Sequence, residues 1–374
     1  MNGKDIHNAV EFVGYDLIDM AEKRRFPRPF RQTVLPIAAM IALLLGVGIT
    51  LPKQNQLPEA ADPENPPVIE EAAPEHAGEY IQTDHPLKVL FPLLDVSTLA
   101  IYPDDDHIDW NTFYLNESKL DDTGTDIYTV HGDQVLAVDA GNGILLIRVK
   151  GEDYQGVLAV VNDPMQLSLQ ASSQIGVEGE TVGTIAEAHN GVLAMSASSF
   201  IDDDSGNLGG ILAGYAISEG TVYNENEHLG EGYSRLEIDG NGQFSIVASG
   251  AAVGDNVQNA MEHLPSMIVD GTINNELDTT WNGTHPRSCI GQAEDGTVLM
   301  LVIEGRMQDR SLGATLPECT NILARYGAVQ AMSLAYGTSA ILLYDGEYVT
   351  KCSNQDLPEG RPLPNAFVVE RADS

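Results

Sequence analysis

An uncharged apolar run divides this chain into two unequal parts. It reads VLPIAAMIALLLGVGITL at residues 34–51, close to the roughly 20 residues that cross a bilayer as a helix. Lys and Arg crowd the segment before the run, whereas Glu and Asp follow it. Because basic residues stay on the cytoplasmic side of membranes, the pattern predicts a transmembrane signal anchor at residues 34–52. We expect a cytoplasmic segment at residues 1–33 and a cell-membrane location in which the C-terminal part is extracytoplasmic.

A cleaved signal peptide is the competing interpretation of the run. The polar segment before it is 33 residues long, and no clear small-x-small cleavage site follows, so an uncleaved anchor is preferred. Residues 53–85 are rich in Pro, Glu and Ala and have few large apolar side chains, which is typical of an extended linker. The remaining residues, 86–374, are expected to form one globular domain held away from the membrane.

Acidic residues dominate the surface chemistry of the chain. The 374 residues include 55 Asp and Glu against 19 Lys and Arg, a formal net charge of -36 at pH 7. Such a surface repels the phosphates of nucleic acids. We expect no nucleic-acid partner.

The sequence predicts neither a metal site nor a cofactor. Cys289, Cys319 and Cys352 lie far apart without C-x-x-C spacing, which argues against zinc and against a dense disulfide framework. Three reduced core thiols are the preferred interpretation, and one disulfide with a third thiol is the alternative. The acidic run at residues 202–207 lacks the distal Glu of a calcium loop, so it is interpreted as a turn.

Short apolar runs between turn residues predict many strands. Residues 143–149 and 156–161 are rich in Val, Ile and Leu and read as buried strands. Asp-Gly pairs at 239–240, 295–296 and 345–346 stand between apolar runs, as expected for tight hairpins.

A helix followed by a strand is predicted twice. Residues 181–188 suit a short helix that leads into a strand at 192–197. Thr315 and Glu318 form a capping-box pattern at the start of a second helix, which leads into a strand at 329–334. Each strand then enters a loop of small residues.

These patterns together predict an α+β fold. Helices are few and strands many, so we expect a single mixed-sheet globular domain preceded by the transmembrane helix. The two small-residue loops, residues 196–199 and 335–339, follow strands directly. Because chemistry is often placed on loops at strand ends, these loops are the first candidates for a functional site.

The C-terminal part also contains an ordered series of short motifs: HPRSCIGQ at 285–292, GR at 305–306, SLGAT at 311–315 and LAYGTS at 334–339. This series resembles the phosphodiester glycosidase family, and the resemblance extends over about residues 144–369. It implies hydrolysis of a sugar 1-phosphodiester, with release of the sugar. The expected partner is therefore a glycan or a sugar phosphate.

The resemblance implies a set of substrate-binding residues. A phosphodiester is an anion that a guanidinium binds bidentately, so Arg287 and Arg306 are candidates, with structural ion pairs as the alternative for each. The matching loops add Ser196, Ser333, Gly337 and Ser339.

The same loops depart from the family pattern. Ala335 stands where the family has an aspartate, and Ser196 and Ser333 stand for asparagines. Tyr336 and Thr338 replace glycines. An alanine methyl group cannot transfer a proton, so the sequence leaves enzymatic activity undecided.

Glycosidic cleavage calls for carboxylates, and Asp202 and Glu304 are the catalytic candidates that remain. The first hypothesis is a membrane-anchored, extracytoplasmic enzyme that hydrolyses sugar 1-phosphodiesters in envelope or secreted glycans. The alternative is a catalytically impaired relative that binds glycan phosphates or acts as an envelope interaction module. Ala335 is the feature that separates them.

Overall fold

The computed structural model describes residues 85–101, 108–116, 124–201, 209–277 and 283–372. They lie in one compact unit, Ile81–Ser374. The predicted cytoplasmic segment, transmembrane anchor and linker lie outside the described residues, apart from residue 85. Within the described ranges, no helix has the length and apolar character needed to cross a bilayer.

Strands are the main regular secondary structure of the described residues. In chain order they are β1 (Tyr114–Leu115), β2 (Val135–Asp139), β3 (Ile144–Lys150), β4 (Gln155–Val161), β5 (Leu167–Ala171), β6 (Gly191–Ser196), β7 (Phe200–Ile201), β8 (Ile211–Leu212), β9 (Ala216–Ser218), β10 (Thr221–Tyr223), β11 (Ser234–Asp239), β12 (Phe244–Ala248), β13 (Val257–His263), β14 (Ser266–Val269), β15 (Thr272–Ile273), β16 (Arg287–Ala293), β17 (Val298–Ile303), β18 (Ala328–Ser333), β19 (Leu342–Tyr344), β20 (Glu347–Tyr348) and β21 (Asn365–Glu370).

Helices are few, as predicted. The described α-helices are α1 (Pro86–Leu90), α2 (Val182–Ala188) and α3 (Leu316–Arg325), and the 3-10 helices are Val96–Ile101, Pro164–Gln166 and Gly337–Ser339. The prediction of one α+β globular unit is confirmed.

The strands form three larger sheets and one two-stranded ribbon. A nine-stranded sheet has the order β1-β2-β3-β4-β17-β16-β18-β14-β15, and two five-stranded sheets have the orders β10-β9-β13-β11-β12 and β20-β19-β6-β21-β5. β7 and β8 form the ribbon.

The predicted mixed sheet is wrong for the described residues, because all their recorded strand pairings are antiparallel. Short hairpins join many neighbouring strands and allow only antiparallel pairing. Helix α3 carries the chain from β17 to β18, but β16 lies between these two strands. The crossover therefore creates no parallel pair.

Two hydrophobic cores lie on opposite faces of the nine-stranded sheet. Along β3, Ile144 and Leu146 enter the first core, whereas Leu145 and Ile147 enter the second. Side chains of the five-stranded sheets join the first core, and α1 and α3 contribute to the second. Covering both faces explains why these strands read as continuous apolar runs. Each fully buried Leu or Ile contributes about 1.5–3 kcal/mol.

The local signals in the sequence are borne out where the structure describes them. Thr315 caps α3 in a capping box with Glu318, and Thr181 caps α2. Hairpins join β11 to β12, β16 to β17 and β19 to β20 at the three Asp-Gly pairs. Both helix-strand units therefore form as predicted.

Candidate functional site at the ends of two strands

The two small-residue loops meet, although they follow strands of different sheets. The Ser196 hydroxyl oxygen lies 3.1 Å from the Ala335 carbonyl oxygen and 3.0 Å from the Ser288 hydroxyl. The Ala335 amide donates to the Ala197 carbonyl at 3.0 Å. Ser196 and Ala197 are fully buried, so only small side chains fit at this contact. The junction joins a five-stranded sheet to the nine-stranded sheet.

Arg287, at the start of β16, lies beside this junction and is only 1% exposed. Its Nε donates to the Ala314 carbonyl at 3.1 Å, and Nη2 donates to the Gly283 carbonyl at 2.9 Å. The guanidinium carbon lies 4.9 Å from the centre of the Tyr336 ring. Burial lowers the pKa of Arg287, but an arginine keeps its charge in proteins. The carbonyl oxygens and the aromatic face stabilise that charge.

His285 and Arg306 lie near Arg287. The His285 ring is 5.8 Å from the Tyr336 ring. Burial, followed by the positive charges of Arg287 and Arg306, lowers the pKa of His285 to about 4. At neutral pH the imidazole is therefore uncharged. We call His285, Arg287, Arg306 and Tyr336 the Arg287 cluster.

Gly305 allows the segment that carries Arg306 to pack closely against Pro286. A Cβ atom on Gly305 would lie 2.6 Å from the Pro286 nitrogen, closer than any side chain tolerates. The Arg306 amide donates to the Leu312 carbonyl at 3.1 Å, and its φ is 60°. The close packing against Pro286 therefore explains why a glycine precedes Arg306.

Glu304 is buried in a network with Arg310, Ser311 and Lys351. It is 2% exposed, forms an ion pair with Arg310 and accepts a hydrogen bond from the Lys351 amide at 2.8 Å. Its carbonyl accepts from the Ser311 hydroxyl at 2.6 Å. These contacts hold a loop in place. A catalytic role for Glu304 stays a prediction, and its contacts indicate a structural one.

The other substrate-binding candidates are mostly covered. Ser333 is 1% exposed, and its hydroxyl has no hydrogen-bond partner among the described residues. Gly337 has a φ of 73° and its amide donates to the Pro286 carbonyl at 3.3 Å, so a side chain there would be strained. Ser339 is 3% exposed. Asp202 lies outside the described residues.

His263 adds a histidine that the sequence did not single out. It ends β13, is 4% exposed, and its Nδ1 lies 2.7 Å from the Leu264 carbonyl. Burial is the main cause that lowers the pKa of His263 to about 4, and the charge of Arg287 lowers it further. A hydrogen bond links it to the Ser333 backbone. Only the pairing of distant strands brings His263 here, and no local pattern signals it.

Glu262 was also missed, although it organises two loop segments. Its buried carboxylate accepts hydrogen bonds from His228 Nδ1 at 2.8 Å, the Leu229 amide at 2.8 Å and the Ser249 hydroxyl at 2.9 Å. Burial acts to raise the pKa of Glu262, but these hydrogen bonds outweigh it and the pKa is lowered. The carboxylate therefore stays ionised and holds the loops together.

A polar cleft of about 580 Å³ lies away from this site. Residues of α2 and of the β19–β20 hairpin line it, together with Gly191 and Arg371. Gly191 begins β6, whereas Ser196 ends it. The cleft and the Arg287 cluster are therefore at opposite ends of that strand.

The described residues contain no group of three or more His, Cys, Asp or Glu side chains that could hold a metal. What the site offers instead is positive charge, a neutral imidazole and an aromatic ring, beside a junction of small residues. Such a set suits an anion with an attached ring.

Comparison with known proteins finds a match to one family model. Residues 189–370 match the family model of the phosphodiester glycosidase. All members of the Arg287 cluster and both small-residue loops fall within these residues. The resemblance to the phosphodiester glycosidase family seen in the sequence is confirmed over this region.

Individual relatives are more distant. The SPbeta prophage-derived uncharacterized protein YomE of Bacillus subtilis (strain 168) is 25% identical over 184 residues, which are 47% of this chain and 28% of that protein. The chain thus spans little more than a quarter of that relative.

Solved structures give weaker likenesses. The catalytic domain of zebrafish N-acetylglucosamine-1-phosphodiester alpha-N-acetylglucosaminidase, auto-inhibited by its pro-peptide, has a TM-score of 0.49 at 15% identity, covering 61% of this chain and 82% of that one. A putative exported protein of Burkholderia pseudomallei K96243 has a TM-score of 0.42 at 14% identity, covering 58% and 74%.

Proposed function

We propose that this protein binds a sugar 1-phosphodiester of an envelope or secreted glycan at the Arg287 cluster. The observation that carries the proposal is the placement of Arg287 beneath Tyr336, with His285 and Arg306 beside it. Arg306 offers a guanidinium, a group that suits phosphate geometry, and the buried charge of Arg287 adds to the positive potential of the site. The ring of Tyr336 offers an apolar face for the sugar.

His285 has a defined part in this proposal. As a neutral imidazole it donates one hydrogen bond and accepts one, so it can contact a sugar hydroxyl without adding a third positive charge. Its low pKa follows from burial and from the two arginines. An anion bound between them would offset their effect.

Hydrolysis is the second candidate function. It would require a carboxylate near the sugar, and Ala335 supplies none at the family position. Glu304 is occupied by Arg310 and the Lys351 amide, so Asp202 is the remaining acid–base candidate. Losing a positioned acid or base typically costs about 10²–10⁴-fold in rate, so binding without fast turnover is the function we propose first.

The location is part of the proposal. Residues 34–52 would anchor the protein in the cell membrane by one helix, with the glycosidase-like domain outside the cytoplasm. The basic segment before the apolar run and the acidic linker after it support this orientation. A protease-protection assay on intact cells would test it, because an extracytoplasmic domain is cleaved without cell lysis.

One experiment tests binding and hydrolysis together. The full chain is mixed with a panel of sugar 1-phosphodiesters, and bound ligand and free sugar are measured on the same samples. Binding without sugar release supports the proposal. Steady sugar release that Asp202→Asn abolishes would establish hydrolysis, and the absence of both binding and release would remove the proposed function.

A second variant tests whether the scaffold still supports catalysis. Ala335→Asp with Tyr336→Gly restores the family residues at two positions. Release of sugar only by this double variant would show that the natural protein has lost its acid and retains the binding site. Ala335→Ser with Tyr336→Gly is the matched control, because it opens the loop without adding a carboxylate.

A further inference from the structure

Two of the three cysteines share one core beneath the Arg287 cluster. Cys289 lies in β16 and Cys319 in α3, and both are fully buried in the second core. Helix α3 packs directly on β16. The two positions are 30 residues apart in sequence, so their proximity follows from the docking of the helix.

Both cysteines belong to the elements that make this contact. The Cys319 thiol lies near enough to Cys289 to raise the pKa of that residue. Cys352 belongs to another core, where its sulfur lies 3.5 Å from the Thr338 carbonyl oxygen. All three cysteines are reduced in the structure.

We propose that Cys289 and Cys319 form a disulfide when the chain folds in the presence of a small-molecule disulfide, and that Cys352 stays outside it. One thiolate attacks the small disulfide and releases one small thiol, giving a mixed disulfide. The second thiolate then displaces the other small thiol and forms the protein disulfide. Two protein thiols are oxidised and one small disulfide is reduced to two thiols.

The disulfide is expected to form during folding, because the folded state buries both sulfur atoms. Neither thiol is exposed, and the neighbouring Cys319 thiol, together with burial, raises the pKa of Cys289. Since the thiolate is the reactive form, the docked thiols react slowly. Before α3 docks, both are accessible, and an oxidising compartment outside the cytoplasm would supply the oxidant.

The bond would also act on the candidate site. The Ala314 carbonyl, which accepts from Arg287 Nε at 3.1 Å, immediately precedes the α3 cap Thr315. A covalent tie between α3 and β16 would hold this carbonyl against Arg287. This consequence rests on the proposed function, whereas the disulfide itself does not.

Peptide mapping tests the disulfide alone. The reduced full chain is unfolded in urea and refolded in a glutathione redox buffer, and remaining thiols are alkylated before proteolysis. We expect a peptide pair joined through Cys289 and Cys319, with Cys352 alkylated. Three alkylated cysteines, or a disulfide that includes Cys352, would overturn the proposal.

Thermal unfolding provides the second readout. Oxidative refolding should raise Tm by about 5 °C over the reduced protein, as a disulfide that closes a loop of this size does. Cys352→Ala should keep this rise, whereas Cys319→Ala and Cys289→Ala should each remove it. A rise that survives in both of the latter variants would count against the pair.

Discussion

The ring of Tyr336 lies 4.9 Å from the guanidinium carbon of Arg287. It covers one face of a cation that is only 1% exposed. In the family pattern this position is a glycine. The ring of Tyr336 therefore adds a cation–π contact and blocks access to the Arg287 guanidinium. Access to Arg287 therefore depends on Tyr336.

Tyr336→Gly should expose Arg287. We expect phenylglyoxal to modify Arg287 severalfold faster in this variant than in the wild type, as measured by mass spectrometry of the modified peptide. Loss of the cation–π contact should lower the free energy of unfolding by about 1–2 kcal/mol. Tyr336→Phe is the control, because it keeps the ring, and equal labelling in all three proteins would show that Tyr336 does not limit access.

Arg306→Asn should weaken binding of a sugar 1-phosphodiester by roughly tenfold to a hundredfold, the effect of losing one charged hydrogen bond. Asn tolerates the positive φ of 60° at this position, so the fold should persist. Titration calorimetry measures the affinity. Arg371→Asn removes a surface arginine paired with Asp345 and should leave the affinity unchanged. An unaffected Kd in Arg306→Asn would exclude Arg306 from the site.

Glu304→Gln should reduce stability rather than act on chemistry. The change removes the carboxylate that pairs with Arg310 and should lower the free energy of unfolding by about 1–3 kcal/mol. Urea denaturation measures the loss. Asp202→Asn is the contrasting variant, expected to have little effect on stability. A fully stable Glu304→Gln protein with impaired sugar release would instead support a catalytic role for Glu304.

His263 should make the fold sensitive to acid. Its pKa is about 4 in the folded chain and 6.5 as a model value, so the unfolded state binds the proton more readily. The free energy of unfolding should therefore fall as pH drops from about 6.5 to about 4, by on the order of 3 kcal/mol from this residue. Below about pH 4 the contribution of His263 to the free energy of unfolding no longer changes with pH. His263→Gln should flatten the pH dependence in urea titrations, and an unchanged slope would contradict this assignment.

Ligand binding should raise the pKa of His285. Arg287 and Arg306 contribute to lowering it to about 4, and a bound phosphodiester would offset their charges. Burial is the larger cause and remains, so the pKa should rise only part of the way toward 6.5. NMR titration of the His285 ring with and without ligand measures the shift. The same shift in the Arg306→Asn variant without ligand would support the electrostatic cause.

Local chemistry made helices α2 and α3 and the three Asp-Gly hairpins predictable. The capping box of Thr315 and Glu318 operates within four residues, and the Asp-Gly pair at 345–346 sets its hairpin by turn geometry alone. The mixed sheet was predicted wrongly because strand direction depends on which strands become neighbours. In the folded chain β16 lies between β17 and β18, so these two strands do not pair with each other.

The candidate site was predicted only in part. Arg287, Arg306 and Tyr336 were recognisable from ordered motifs, and the structure brings them together with His285. Their burial, and the pairing of Glu304 with Arg310, were not readable, because solvent exposure and ion pairing depend on packing. His263 carried no signal at all.

The sequence by itself determined the resemblance to the phosphodiester glycosidase family, the strand-rich fold with its capped helices α2 and α3, and the alanine at position 335. Each depends on residue identity or on contacts between near neighbours in the chain. Only the tertiary structure decided that the Ser196 and Ala335 loops touch, that Tyr336 covers Arg287, and that Cys289 and Cys319 share one core. These contacts join residues of different strands or helices, and packing between sheets and helices fixes them where no local pattern can.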